Sequence, residues 1–187
     1  PQSARPLALG VIGACTVLLP RVAIISAALA PAVAEALVPF LFPPLVVGVL
    51  LATAAFRRQP AGEHADGEVG NPLRLLPAIQ MAVAFQLAML AIPLVNRWLG
   101  SAGVLASAAV LGLTDVDALT VSMTRLAQGG DGTALAARAI AIGILANTAL
   151  KLAIVLVVGE RRFMREAGAG LLALGVASGV GFWLGTR

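Results

Sequence analysis

Tyrosine is absent from this 187-residue sequence, cysteine and histidine occur once each, and only 12% of the residues are charged. Each shortage excludes something. A single cysteine forms no disulfide within the chain and no cysteine-based metal centre. Cys15 lies in an apolar stretch and reads as a small buried hydrophobe. The lone histidine, His64, sits in a polar segment with Glu63, Asp66 and Glu68 and reads as a solvated loop residue. Aromatics at 4% cannot supply the girdles of a membrane β-barrel. A soluble domain carries about 25% charged residues, so too little polar surface is present to keep this chain in water. The basic residues, 13 against 9 acidic, form no cluster interleaved with aromatics, and no nucleic-acid partner is expected. Also missing are G-x-S-x-G, H-E-x-x-H, a P-loop and a dinucleotide glycine fingerprint, so the expectation is a protein that is not an enzyme and has no cofactor.

What is present is apolar: 59% hydrophobic residues and a mean hydropathy of +0.96. A spanning helix needs about 20 mostly apolar residues. Six stretches meet that length, at 7–29, 33–56, 75–95, 102–126, 133–158 and 167–184. The reading is an all-α integral membrane protein, one membrane domain over 1–187 built as a bundle of about six transmembrane helices, with a polar loop at 57–74. The sequence begins at Pro1 without a basic leader, so no signal peptide is expected and the chain reads as a piece of a longer protein. Lipid is the expected surrounding, and the inner (plasma) membrane the expected location. Counting Arg and Lys in the connections of a six-span topology, with Arg5, Arg57, Arg58, Arg74, Arg125, Arg138 and Arg187 on one side, puts both termini in the cytoplasm. Trp98 and Trp183, each near a span end, suit interfacial anchors.

Local features qualify the spans. Pro39, Pro43 and Pro44 each remove a backbone donor from the second. Either that span is broken toward protein or a water-filled cavity, or its proline-rich start lies at the interface. The sixth span holds Gly175, Gly179, Gly181 and Gly185, spaced for close helix packing inside the bundle or in a homodimer.

Ionisable groups deep in a bilayer are costly and by default pair or mark a pathway. Arg21, Asp115, Asp117 and Lys151 fall in mid-span positions, and Gln86 and Asn147 lie near the centres of their spans. At about 1.5 Å per residue, all six occupy a slab roughly 10–15 Å thick. On a regular helix Asp117 aligns with Thr114 and Thr120, and Asp115 with Leu119 and Ser122. The acids then point about 160° apart and share one ligand only if the helix is broken, which Gly112 permits, or if they flank a crossing helix. Carboxylate, hydroxyl and amide oxygens suit hard cations, which makes Asp115 and Asp117 the metal candidates, with Thr114, Thr120, Ser122, Gln86 and Asn147 as neutral donors. Arg21 and Lys151 read as internal counter-charges. The leading expectation is transport or channelling of a small ion, a divalent metal cation first. The alternatives are a scaffold or regulatory module that binds another membrane protein, and a transporter of an anion or small organic solute.

The segment Gly112-Leu-Thr-Asp-Val-Asp-Ala-Leu-Thr120 resembles the signature of a membrane family catalogued as domain of unknown function 4010. Arg21-Val22, Asn71-Pro72-Leu73, Ala136-Ala137-Arg138-Ala139-Ile140, Asn147-Thr148-Ala149-Leu150-Lys151 and Gly159-Glu160-Arg161-Arg162-Phe163 fit in order. The resemblance implies a helical membrane domain. Members are often fused behind an MgtC/SapB-type membrane domain, which implies an MgtC-like partner and, by analogy alone, a link to magnesium.

Overall fold

A computed structural model describes residues 4–57, 100–128 and 132–187, and every regular element among them is a helix. They are α1 (Ala4–Leu29), α2 (Pro31–Phe56), α3 (Gly100–Thr114), α4 (Val116–Ala127), α5 (Thr133–Val158) and α6 (Arg161–Gly185). Four of these, α1, α2, α5 and α6, are long and apolar enough to cross a membrane. At 1.5 Å per residue, the 26 residues of α1 reach about 39 Å, more than the ~30 Å of a hydrocarbon core. Their outward faces carry Val17, Ile24, Phe42, Leu50, Val157 and Val176, all exposed. Apolar side chains facing both the core and the outside are the mark of a helix solvated by lipid.

The expected third span at 75–95, with Gln86, Trp98 and His64, lies outside the described residues. The sixth helix starts at Arg161 rather than near 167, because the basic turn of Arg161, Arg162 and Arg165 continues the helix beyond its apolar part. The fourth expected span, 102–126, is not one helix: it breaks at Asp115 into α3 and α4.

One residue, Ala30, joins α1 to α2. Pro31 takes the first helical position, where its missing N–H costs nothing, and the N–H groups of Val33 and Ala34 donate to the Ala30 carbonyl at 2.9 and 3.2 Å. The two helices form an antiparallel hairpin in which Gly48 lets Thr16 approach; a Cβ on Gly48 would lie 2.5 Å from Thr16 Oγ1. α2 is continuous through Pro39, Pro43 and Pro44, so the prolines do not break the span. Pro43 and Pro44 leave the carbonyls of Pro39 and Phe40 without helical donors, and Gly181 of α6 lies against both: a Cβ there would sit 2.6 Å from Phe40 O and 3.1 Å from Pro39 O. The freed carbonyls are thus covered by a neighbouring backbone, in reach of weak Cα–H donors. Gly185 accommodates the Phe40 ring, which also meets Phe182 edge-on at 5.8 Å. Gly175 faces Thr148 of α5, and Gly179 has open space. Of the four glycines expected to pack either inside the bundle or in a homodimer, three therefore find neighbours within the chain.

Ile12 packs on Gly170, Lys151 meets Cys15, and Phe40 meets Gly181. These contacts make α1 and α6 parallel, with α2 and α5 antiparallel to both. The start of α1 and the end of α6 consequently lie at opposite ends of these four helices. At the end of α6, Arg187 stacks over Trp183 at 3.6 Å from the ring centroid, and Trp183 is exposed as an interfacial anchor is.

Two buried apolar layers stack along the bundle. The layer nearer the α1–α2 turn holds Val22, Val33, Leu37, Phe40, Val104, Leu119, Met123 and Ile140. The other, nearer the start of α1, holds Ala8, Ile12, Cys15, Val155, Ala167, Leu171 and Leu174.

Candidate site at the helix break

Asp115 is the hinge. Its backbone is extended, at φ −152° and ψ 105°, between two helices. Its N–H closes α3 by donating to Leu111 O at 2.8 Å. Its Oδ1 opens α4 by accepting from the N–H groups of Asp117 at 2.9 Å and Ala118 at 3.0 Å. An aspartate at this position satisfies two orphan donors and faces the positive end of the helix dipole. Aspartate also lowers the cost of leaving the helix, because its side chain competes for backbone donors. The break therefore falls at Asp115 and not at Gly112. Gly112 instead brings α3 against α5, so closely that a Cβ would overlap Gly143 Cα and carbonyl.

The break overturns part of the expected alignment. Thr114 ends α3, its hydroxyl donating to Leu111 O at 2.9 Å, and so is not in one helical register with Asp117. Asp115 does not pair through a common helix face with Ser122. Within α4 the relation of Asp117 to Thr120 stands, and Thr124 and Gln128 continue the same face. Thr120, Ser122 and Thr124 are buried and each donates back to its own helix, to Val116 O, Ala118 O and Thr120 O.

Asp117 is the member of the pair that meets a neighbouring helix. One oxygen, Oδ2, meets the guanidinium of Arg21 on α1. The other, Oδ1, is buried without a hydrogen-bond partner among the described residues. The two side chains differ sharply in exposure, 62% for Arg21 and 23% for Asp117. Lys151 is not part of this pair: its Nζ donates to the thiol of Cys15 at 3.5 Å. Cys15 lies six residues from Arg21 along α1, about 9 Å. The cations thus share the expected slab but not one network. Asn147 is half-buried one turn before Lys151 on α5. Among the described residues no group of three or more His, Cys, Asp or Glu comes together. Sequence reasoning missed Cys15 as the lysine's partner, Ser26 as a buried hydroxyl without a partner among the described residues, and Gln128, whose Nε2 ties the end of α4 to Leu29 O at 2.7 Å. Only the spacing of Gln128 from Asp117 and Thr124 could have signalled any of these.

Replacing Asp115 with Ala should lower stability by about 1 kcal/mol through loss of the cap, and Asn or Ser should restore most of it. Thermal melts followed by size exclusion would show this; equal losses for Ala, Asn and Ser would mean the carboxylate charge, not the cap, is what matters.

No curated protein and no solved structure matches the chain. A family model described as Domain of unknown function (DUF4010) matches residues 1–159, which takes in α1 to α5, the helix break and both aspartates. The chain belongs to this DUF4010 family.

Proposed function

We propose that this membrane protein moves a small cation, a divalent metal first, and that Asp117 is the group that receives it. The observation that carries the reading is the unpartnered Asp117 Oδ1 at a helix break, beside a counter-ion that can leave. Broken helices at mid-span are where transporters place their ion sites, since freed backbone and side-chain oxygens gather there. Arg21 holds the place of the cation in its absence. Asp115 supplies a second carboxylate through the oxygen its cap does not use, and Thr120 and Thr114 retain acceptor lone pairs. A hard divalent ion wants several such oxygens and offsets the loss of the guanidinium better than a monovalent one.

The cap at Asp115 favours a second reading, in which both aspartates are architectural and the chain is a scaffold for another membrane protein such as an MgtC-like domain. We also propose that the end bearing Arg57, Arg161, Arg162 and Arg165 faces the cytoplasm of a plasma membrane, by the positive-inside rule.

Thermal-shift measurements with Mg²⁺, Mn²⁺, Ca²⁺, Zn²⁺ and Co²⁺ separate the two readings. Binding to the folded state alone stabilises by about 2.7 kcal/mol at 100 times Kd. A melting point raised by one metal, followed by uptake of that metal into proteoliposomes, supports transport. No shift with any metal and no uptake supports the scaffold.

A further inference from the structure

We infer that water reaches the Arg21–Asp117 pair from the end of the bundle formed by the α1–α2 turn and the end of α4, and that the path stops at the pair. This rests on Asp117 being the ion site, and it names the side from which that site is loaded.

The first argument is the guanidinium. Arg21 is 62% exposed while paired, at a depth where its neighbours Val17 and Ile24 also face outward. A guanidinium surrounded by hydrocarbon is costly, so polar surroundings must reach it. Arg21 is eight residues from Leu29 but seventeen from Ala4, about 12 Å against about 26 Å along α1. The nearer end is the α1–α2 turn.

The second argument is the face of α4. Asp117, Thr120, Thr124 and Gln128 fall at i, i+3, i+7 and i+11, a continuous polar line on one side of the helix. It runs from the pair to the same end, where Gln128 meets Leu29. The third is the pair of oxygens without partners. Thr16, Thr120, Ser122, Thr124, Thr148 and Ser178 are buried, and each donates to a carbonyl of its own helix. Ser26 is equally buried and does not. It lies five residues from Arg21 toward the turn. The two buried side-chain oxygens that lack partners among the described residues, Ser26 Oγ and Asp117 Oδ1, both lie at the pair or on the turn side of it. Water is the partner small enough to satisfy such groups. Beyond the pair, among the described residues, the buried Ala8–Ile12–Val155–Ala167–Leu171–Leu174 layer is apolar, with the Lys151–Cys15 contact at its margin. Water that reaches the pair from one end and not from the other is what one state of an alternating-access cycle requires.

Single cysteines in a Cys15→Ala background, in the full chain reconstituted in liposomes, test this with a charged, membrane-impermeant thiol reagent. Thr186→Cys marks the turn end and Glu160→Cys the other. Thr124→Cys and Ser26→Cys should react from the Thr186 side alone, although both positions are fully buried. Ile12→Cys and Leu171→Cys should react from neither. Reaction of Thr124→Cys from the Glu160 side, or no reaction at either Thr124→Cys or Ser26→Cys, overturns the inference. Hydroxyl-radical footprinting of the unsubstituted protein asks the same question without relying on variants that fold: oxidation at Met123 on α4 with none at Leu171 supports the path, and the reverse or equal protection overturns it. Because labelling reads water and not ions, a labelled path without cation uptake sinks the transport reading alone, and uptake without labelling sinks this one alone.

Discussion

Asp117→Asn should abolish metal-dependent stabilisation, and Arg21→Met should strengthen it. The two opposite results follow from one contact. Asp117 contributes the charge that a cation needs, while Arg21 occupies the same carboxylate and must be displaced. Removing the competitor should raise apparent affinity by about tenfold or more, since even 1.4 kcal/mol of guanidinium contact is a factor of ten. Stability without metal should fall in both variants. Breaking a buried ion pair by removing one partner costs about 3–5 kcal/mol, but Arg21 is largely exposed, so about 1–2 kcal/mol is the expected loss here. In Asp117→Asn/Arg21→Met the losses should not add, because no unpaired charge remains. A double variant that regains thermal stability yet ignores every metal identifies Asp117 as ligand as well as structural partner. If Arg21→Met leaves metal response unchanged and both single variants only lose stability, the pair is architectural and the scaffold reading gains.

Length and hydropathy made four of the spans legible, because a run of about 20 apolar residues has few other ways to fold. Arg21 and Asp117 were legible as a cation and an acid at equal depth, and the cost of leaving either alone brought them together. The break was not. Prolines in α2 looked like the weak point, yet a helix tolerates proline when a neighbour covers the freed carbonyls, and Gly181 on a distant helix does so. Asp115 carries no such conspicuous backbone defect; its role depends on whether its side chain turns to its own amides or to a ligand, which spacing does not reveal. Lys151 was expected beside an acid and instead faces Cys15, because helix rotation decides which of two cations at similar depth meets the carboxylate.

Gly112→Ala should be among the most damaging single-methyl changes in the described helices, and the damage should reach function. A Cβ at Gly112 would fall onto the backbone of Gly143, which has no side chain to swing aside. One helix must move. Overpacking of this kind costs about 1–3 kcal/mol, and more when backbone meets backbone. Gly143→Ala should be milder, because its Cβ would meet the end of the Leu119 side chain, which can rotate, with Ala108 O at 3.3 Å. Gly10→Ala and Gly13→Ala meet nothing within 4 Å and should be neutral or gain up to about 1 kcal/mol in helix propensity. Melting curves of the four variants in detergent should therefore rank with Gly112→Ala lowest, Gly143→Ala next and the two α1 variants at or above the parent. Gly112 lies three residues before the hinge, so any shift of α3 displaces Asp115 and with it the start of α4. Even a Gly112→Ala protein that remains monodisperse should lose its metal response, while Gly143→Ala retains a measurable part of it. A Gly112→Ala melt indistinguishable from that of Gly10→Ala would mean that α3 and α5 do not meet backbone to backbone, and the position assigned to the break would fall with it.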